Sequence, residues 1–310
     1  MNIRQIEYIL AVAKFKNFGK AAEHCFVTQS TLSTMVNRLE KELNIQIFDR
    51  KTKPISITFE GAVIIDQLKV INKEVSNLEE LTQNLKGEFK GNISIGLIPT
   101  IAASLFPLIL NDFSVNHPTV NFQISELTTE KIMEGLLNRD IDMGIVSIPL
   151  KHKELLETEL YEEDFILYDR AQNVTNHMVE IEDIELNRLW LLEEGHCLKN
   201  QVEKICSLRQ KKNYSTNLTY KSGSISTLIK LVEHSKGLTL LPYLSTLDLL
   251  NEQKEHLHFF KSPVPARKIG LVVHKHFVKK EIMKGLSKTI QNTILPLLPQ
   301  EKHRSLIDPL

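Results

Sequence analysis

The fold of the N-terminal part is decided by residues 21–43, whose sequence is AAEHCFVTQSTLSTMVNRLEKEL. A short helix is predicted from Phe18 to Cys25, and Thr28 is a suitable N-cap for the next one. Only Phe26-Val27-Thr28 separates them, which is too short for anything but a sharp turn. Helical spacing predicts that the second helix turns these residues inward: Leu32, Met35, Val36, Leu39 and Leu43. With an earlier amphipathic helix around residues 6–13, the segment is a three-helix helix-turn-helix unit.

A basic wing is predicted directly after this unit. Residues 48–54 (FDRKTKP) have the composition of a basic turn, and residues 55–59 (ISITF) alternate as a short strand does. Residues 1–60 carry nine basic and six acidic side chains, although 38 basic and 38 acidic residues balance over the chain of 310. A positively charged winged helix-turn-helix is typical of a domain that binds double-stranded DNA.

The outward face of the recognition helix consists of small or amide side chains, which hydrogen-bond base edges or phosphates and let a helix approach the major groove. The alternative is an ordinary solvated polar face, but the helix spacing, the basic wing and the local charge together favour DNA. The predicted DNA-binding residues are Gln29, Ser30, Thr31, Ser33, Thr34, Asn37 and Arg38 on the helix, and Arg50, Lys51 and Lys53 on the wing.

One long helix is predicted from Glu60 to Leu85, ending before Gly87 and Gly91. Its apolar positions recur every three to four residues: Val63, Ile64, Leu68, Ile71, Val75, Leu78 and Leu81. A stripe of this length on a helix attached to a small domain is typical of a dimerisation seam.

Beyond Asn92, short strand-like runs alternate with helical stretches, which predicts an α/β region with parallel strands. The runs are residues 93–98, 142–146, 165–168, 189–192, 238–241 and 269–273. A last helix is expected at about residues 279–297, and the tail after Pro299 has no periodic pattern and is expected to fray. No secretory signal or membrane-spanning stretch is recognisable, so we expect a cytoplasmic protein.

Several motifs resemble the signature of LysR-type transcription regulators. They are Ala21-Ala22-Glu23, Val27-Thr28-Gln29, Leu32-Ser33, Leu39-Glu40-Lys41-Glu42-Leu43, Phe48-Asp49-Arg50, Thr58 with Gly61, Gly96-Leu97-Ile98-Pro99-Thr100, and Gly237-Leu238-Thr239-Leu240-Leu241-Pro242. One departure is Ser30, where that family usually has proline, and serine serves equally in a first helical turn.

The resemblance implies five segments. These are a winged helix-turn-helix domain at residues 1–59, a linker and dimerisation helix with hinge at 60–91, effector subdomain I at 92–163 with 268–300, effector subdomain II at 164–267, and a tail at 301–310. The two α/β subdomains are expected to resemble periplasmic binding proteins and to enclose a sensing cleft. Double-stranded DNA, a homodimer or homotetramer, and RNA polymerase are the implied partners.

Two cysteines provide the sharpest chemical signal. Cys197 follows an apolar run and begins a predicted helix, where unpaired backbone N–H groups and the helix dipole favour a thiolate. Cys206 lies nine positions on, and Cys25 is expected to pack inside the DNA-binding unit. In a reducing compartment such cysteines are either buried packing residues or a redox device. From the residues alone, packing is the commoner outcome.

The sequence Gly195-His196-Cys197-Leu198, with a second cysteine at 206, resembles the peroxide-sensing OxyR branch of the LysR family. That resemblance implies that hydrogen peroxide is the effector, that Cys197 reacts with it, and that Cys206 then forms a disulfide with Cys197. It also implies that four residues bind peroxide or support the thiolate: Thr100, Thr129, His196 and Arg267. Asn200 stands where the branch has aspartate, which puts a proton-relay role there in doubt.

Two alternatives remain at this point. A regulator that binds a small organic metabolite in the cleft would have incidental cysteines and would be insensitive to thiol oxidation. A thiol peroxidase carrying a DNA-binding domain would need a recycling site, and the sequence supplies none. We therefore expect a regulator rather than an enzyme, without a cofactor or a metal ion.

Overall fold

The computed structural model describes residues 1–85, 91–116, 118–171, 178–192, 197–206, 224–300 and 303–310. The chain divides into two compact units, Met1–Glu88 and Phe89–Leu310. Each unit has its own hydrophobic core and is described by itself.

Three capped helices open the first unit: α1 (Ile3–Phe15), α2 (Phe18–His24) and α3 (Gln29–Leu43). The predicted N-cap is confirmed, because the Thr28 hydroxyl accepts a hydrogen bond from the Thr31 backbone N–H at 3.2 Å. The connection from α2 to α3 turns sharply at Phe26, whose φ is 55°. Leu32, Val36 and Leu39 of α3 are fully buried, as their spacing predicted.

The wing is a two-stranded hairpin, β1 (Phe48–Asp49) and β2 (Ser56–Ile57), paired antiparallel. The long helix α4 (Phe59–Leu85) follows at once, so the second strand is shorter than predicted. The Thr58 hydroxyl accepts from the Gly61 N–H at 2.9 Å and thereby caps α4. A Cβ on Gly61 would lie 2.3 Å from the Ile47 carbonyl oxygen, which explains a glycine at this close approach.

The apolar stripe of α4 is partly buried in its own unit and partly exposed. Ile65 and Leu68 are buried in the core of the first unit, with Ile64 and Ile71 packed beside them. The expectation that Leu68 belongs to a dimerisation seam is therefore wrong, because Leu68 is buried in the same core as residues of α1. Val63 and Leu78, in contrast, are 63% and 64% exposed.

The second unit is a mixed sheet with flanking helices. Its strands are β3 (Gly91–Leu97), β4 (Val120–Glu126), β5 (Met143–Ile148), β6 (Leu155–Asp169), β7 (Met178–Val179), β8 (Leu238–Pro242), β9 (Leu257–Phe260), β10 (Val264–His274) and β11 (Arg304–Leu306). Its helices are α5 (Pro99–Ala102), α6 (Phe106–Asn116), α7 (Thr129–Leu137), α8 (Cys197–Ile205), α9 (Ile225–Ser235), α10 (Asn251–Lys254) and α11 (Lys280–Ile294).

The sheet is not wholly parallel, in contrast to the prediction. β3 pairs parallel with β4 and β5, whereas β10 runs antiparallel to both β5 and β6. β6 also pairs antiparallel with β8 and β9. Residues 189–192 do not form the predicted strand, because only Leu189 makes a bridge, to Leu238.

Two long strands, β6 and β10, pass from one hydrophobic cluster to another. One cluster gathers around β3, β5, α7 and α11, and the others around β8, α8 and α9. Glu163 of β6 lies opposite Arg267 of β10 in this strand pair, near the place where the two strands pass from one cluster to the other. The division into subdomains at residues 163/164 and 267/268 stays a prediction.

The C-terminal end is ordered over residues 303–310, so the expectation that the tail frays is wrong there. Its strand β11 pairs parallel with the start of β10, with Val264 opposite Arg304 and Ala266 opposite Leu306. A three-residue strand is too short to produce a periodic pattern, which is why the sequence did not show it. Across the described part of the chain, no helix has the length and apolarity to span a membrane.

Candidate functional site

Cys197 is the first residue of α8, and Cys206 directly follows the helix. Both are buried thiols, but their side chains belong to different hydrophobic clusters, Cys197 with β3 and β5 and Cys206 with β8 and α9. The Cys206 N–H continues the helical hydrogen bonding, donating to the Val202 carbonyl at 2.9 Å. Nine residues at about 1.5 Å rise hold the two Cα atoms about 13 Å apart along the axis.

A fully buried cation lies next to Cys197. The Arg267 guanidinium contacts the Glu163 carboxylate at 2.8 Å, and it donates to the Thr100 hydroxyl at 3.0 Å. Glu163 is itself 1% exposed and also accepts from the Leu244 N–H at 2.8 Å. Burial by itself would lower the pKa of Arg267, but the nearby Glu163, Cys197 and Tyr161 raise it, so the guanidinium stays charged.

Burial raises the pKa of the Cys197 thiol above its ordinary value, against the sequence-based expectation of a favoured thiolate. The Arg267 charge, the Thr129 hydroxyl and the Leu198 N–H all act in the opposite direction and favour the thiolate. The helix N-terminus contributes as expected, but removal of the sulfur from water outweighs it. In the resting protein the sulfur is therefore mainly a thiol with thiolate-stabilising groups already around it.

The structure brings four of the sequence-predicted residues together. Thr100 on α5, Thr129 at the start of α7 and Arg267 on β10 surround Cys197, and all four are at most 4% exposed. Asn200 is half-buried, and its amide donates to the Pro309 carbonyl at 3.3 Å. His196 lies outside the described residues.

Sequence reasoning missed three members of this cluster. Glu163 supplies the countercharge, and Tyr161 lies two residues before it on the same face of β6. Gln201, one turn after Cys197, donates to the Ser147 hydroxyl at 3.1 Å. The Tyr161 hydroxyl and the Gln201 amide oxygen are buried without a hydrogen-bond partner among the described residues. The sequence offered one signal for this cluster, because Glu163 is a charged residue close to the apolar run at residues 165–168. Its partner Arg267 lies 104 residues further along the chain, so the sequence did not show the pair.

The candidate DNA face is the outward side of α3. Gln29, Ser30, Thr31, Thr34 and Arg38 are exposed, whereas Ser33 and Asn37 are half-buried. The Thr28 hydroxyl lies 3.0 Å from that of Ser30 and 2.8 Å from that of Thr31, so the first turn of α3 presents an ordered group of hydroxyls.

The three wing cations differ in their surroundings. The Arg50 guanidinium is 2.7 Å from the Glu40 carboxylate of α3 and lies over the Phe18 ring, 5.0 Å from its centroid. Lys51 and Lys53 are exposed and form no ion pair within the described residues. Arg50 thus fastens the wing to the helical unit, and the two lysines are available for phosphates.

A winged helix-turn-helix joined to a mixed-sheet domain with an enclosed thiol site defines a DNA-binding transcription regulator with its own sensing domain. Residues 3–62 match the bacterial regulatory helix-turn-helix protein of the lysR family, and residues 86–292 match the LysR substrate binding domain. The chain belongs to the LysR family and is OxyR-like.

Named relatives support this assignment. A hydrogen peroxide-inducible genes activator of Haemophilus influenzae is 30% identical over 274 residues, covering 88% of this chain and 90% of that protein. The DNA-binding transcriptional dual regulator OxyR of Escherichia coli K12 is 30% identical over 275 residues, covering 88% and 89%. A full-length OxyR variant from Pseudomonas aeruginosa superposes with a TM-score of 0.78 at 26% identity, covering 97% of this chain and 99% of that one.

Proposed function

We propose that this chain activates transcription in response to hydrogen peroxide, through a reversible disulfide between Cys197 and Cys206, and that it is not an enzyme. The observation that carries the proposal is the buried Arg267 beside Cys197, at the start of the helix that leads to Cys206. A charged guanidinium next to a thiol lowers the cost of the thiolate, which is the nucleophile. Hydrogen peroxide is proposed as the effector because the relatives include a hydrogen peroxide-inducible genes activator and OxyR.

In the first step peroxide binds among the Thr100 and Thr129 hydroxyls, whose donors and acceptors match its two oxygens. The Cys197 sulfur attacks one oxygen, the O–O bond breaks, and the thiol proton leaves with the second oxygen as water. Arg267 stabilises the negative charge that develops during this transfer. The product is Cys197 sulfenic acid.

In the second step the Cys206 sulfur attacks the sulfenic sulfur, and the hydroxyl leaves with the Cys206 thiol proton as a second water. Two thiols thereby lose two electrons in total, and one peroxide becomes two waters. A disulfide needs Cα atoms about 5.5 Å apart, so the helix between the cysteines has to unwind or fold back. Oxidation therefore changes the shape of the second unit.

The other parts of the proposal concern the oligomeric state, the cellular location and the contacts with DNA. The regulator acts in the cytoplasm as a homodimer or homotetramer, and its oxidised form engages RNA polymerase at the promoter. The residues proposed to contact DNA are those predicted on α3 and the wing. Lys51 and Lys53 bind phosphates, and Arg50 acts mainly through the wing itself.

The test is the oxidation state of each cysteine after brief exposure to a small excess of peroxide, by mass spectrometry of thiol-labelled protein. We expect a Cys197–Cys206 disulfide and an altered DNA footprint. Cys197→Ser should abolish both, Cys206→Ser should stop at sulfenic acid and over-oxidise, and Cys25→Ser is the matched control that should respond normally. Free thiols after treatment would instead favour a metabolite-binding regulator. Repeated peroxide turnover with a dithiol would favour a peroxidase.

A further inference from the structure

The last residues of the chain are fixed to the second unit by bonds at several points. We call residues Arg304–Leu310 the C-terminal strap. Its Arg304 side chain pairs with Asp164 at 2.5 Å, and the Ile307 N–H donates to the Ala266 carbonyl at 2.8 Å. The Ile307 side chain packs against the cluster that contains Leu198 and Val202 of α8.

The strap also bonds directly to α8. The Gln201 amide donates to the Ile307 carbonyl at 2.8 Å, and the Asn200 amide donates to the Pro309 carbonyl at 3.3 Å. The Lys204 ammonium donates to the Asp308 carbonyl at 3.1 Å and also to that of Leu310. These three side chains lie on one side of the helix, because their spacing of one, three and four residues is that of adjacent helical positions. Asn200 and Gln201 are also the helical neighbours of Cys197.

We propose that the strap holds α8 in its helical form, positions Cys197 in its buried site, and sets how fast the sulfenic acid reaches Cys206. This inference rests on the proposed peroxide function. Closing the disulfide requires that α8 lose its helical shape, so the three side chains cannot keep their positions against the strap carbonyls. Each bond between α8 and the strap therefore opposes closure, and closure releases the strap.

Asn200 is a hydrogen-bond donor to the strap, and an aspartate could not replace it in that contact. An aspartate, which the OxyR resemblance predicted at this position, would turn a carboxylate oxygen toward the Pro309 carbonyl oxygen. Two acceptors cannot form a hydrogen bond, so that contact would become repulsive. The asparagine of this chain is a positioning residue that favours a docked strap.

The experiment separates the two chemical steps. Sulfenic acid formation is timed by dimedone trapping in a Cys206→Ser background, and disulfide closure is timed by acid quenching in chains with both cysteines. Asn200→Asp should speed closure several-fold, and truncation after Leu306 should speed it roughly tenfold, the scale of one to two hydrogen bonds. Asn200→Gln keeps the amide donor and should restore slow closure. Lys284→Ala, in an exposed ion pair on α11, is the control and should match the parent chain.

Hydrogen exchange gives an independent readout. The Ile307 amide should be protected in the reduced full chain and should lose protection on oxidation. The proposal for the strap would be overturned alone if the disulfide formed normally but the parent and Asn200→Asp chains closed it at equal rates. Unchanged protection of the Ile307 amide on oxidation would have the same meaning. If no chain reached sulfenic acid, the peroxide proposal would fail first and the strap's release would fall with it.

Discussion

At the scale of single residues, Cys197 shows two opposing influences on one sulfur. Burial stabilises the neutral thiol, and Arg267, Thr129 and the Leu198 N–H stabilise the thiolate. The net direction is upward, so the site keeps the sulfur protonated at rest and has the groups in place that assist its ionisation.

The pH dependence of Cys197 follows from this direction. An ordinary cysteine titrates at about pH 8.5. We expect the difference in thiolate absorbance between the parent chain and Cys197→Ser to have its midpoint above that value. Because the unfolded chain would lose this proton first, the contribution of Cys197 to stability is full below about pH 8.5 and declines as pH rises beyond it. A midpoint at or below about pH 8.5 would contradict this account of the site.

The buried ion pair should dominate the stability of the thiol site. Glu163→Gln keeps the size and one acceptor but leaves the Arg267 charge uncompensated, which should cost about 3–5 kcal/mol. Urea unfolding of the second unit measures the loss. Glu159→Gln is the matched control, since its partner Lys268 and Glu159 itself are 30% and 47% exposed. An exposed pair contributes about 0–1 kcal/mol, so equal effects of the two variants would show that the buried pair has no special role.

At the scale of elements, the wing has one cation with a structural contact, Arg50, and two exposed cations, Lys51 and Lys53. Lys51→Ala should weaken binding to all DNA sequences and make the slope of log affinity against log salt shallower by about one unit. Arg50→Ala should instead lower the free energy of unfolding of the first unit, because Arg50 joins β1 to Glu40 of α3. Filter binding at several salt concentrations and thermal unfolding distinguish the two. An unchanged salt slope for Lys51→Ala would mean that the wing does not reach the phosphates.

We predict that the recognition helix makes a different contribution to DNA binding from the wing. Ser33 and Asn37 lie half-buried beside the exposed groups of α3, and we expect a change at either to alter which DNA site is preferred. Base contacts specify sequence, and phosphate contacts position the domain. The two elements are thus predicted to supply different parts of DNA recognition within one small unit.

At the scale of the whole molecule, we predict that the exposed side of α4 pairs two subunits. Val63 and Leu78 are fifteen residues apart, which places them within about 60° of each other around the helix. Val63→Glu combined with Leu78→Glu should give monomers with weak DNA binding, measured by analytical ultracentrifugation and by footprinting. Ala62→Glu introduces the same charge at an exposed position on another side of α4 and should remain dimeric. A double variant that still dimerises and binds DNA normally would exclude this interface.

The local features of this chain were determined by its sequence. The helix-turn-helix, its Thr28 cap, the wing, the long helix and the alternating second unit all follow from patterns within about thirty residues, where periodicity and capping act directly on the backbone. The proposed reaction between Cys197 and Cys206 also came from the sequence, through resemblance to a family, and it stays a prediction.

Only the tertiary structure decided how distant segments combine. It paired Glu163 with Arg267, made the sheet mixed, placed Leu68 in a core, and seated the strap on α8. It also reversed the expected pKa direction of Cys197, because desolvation depends on everything that surrounds the sulfur. The physical reason is common to all of these: burial and long-range pairing are properties of the packed chain, and no local pattern encodes which remote residue will remove a group from water.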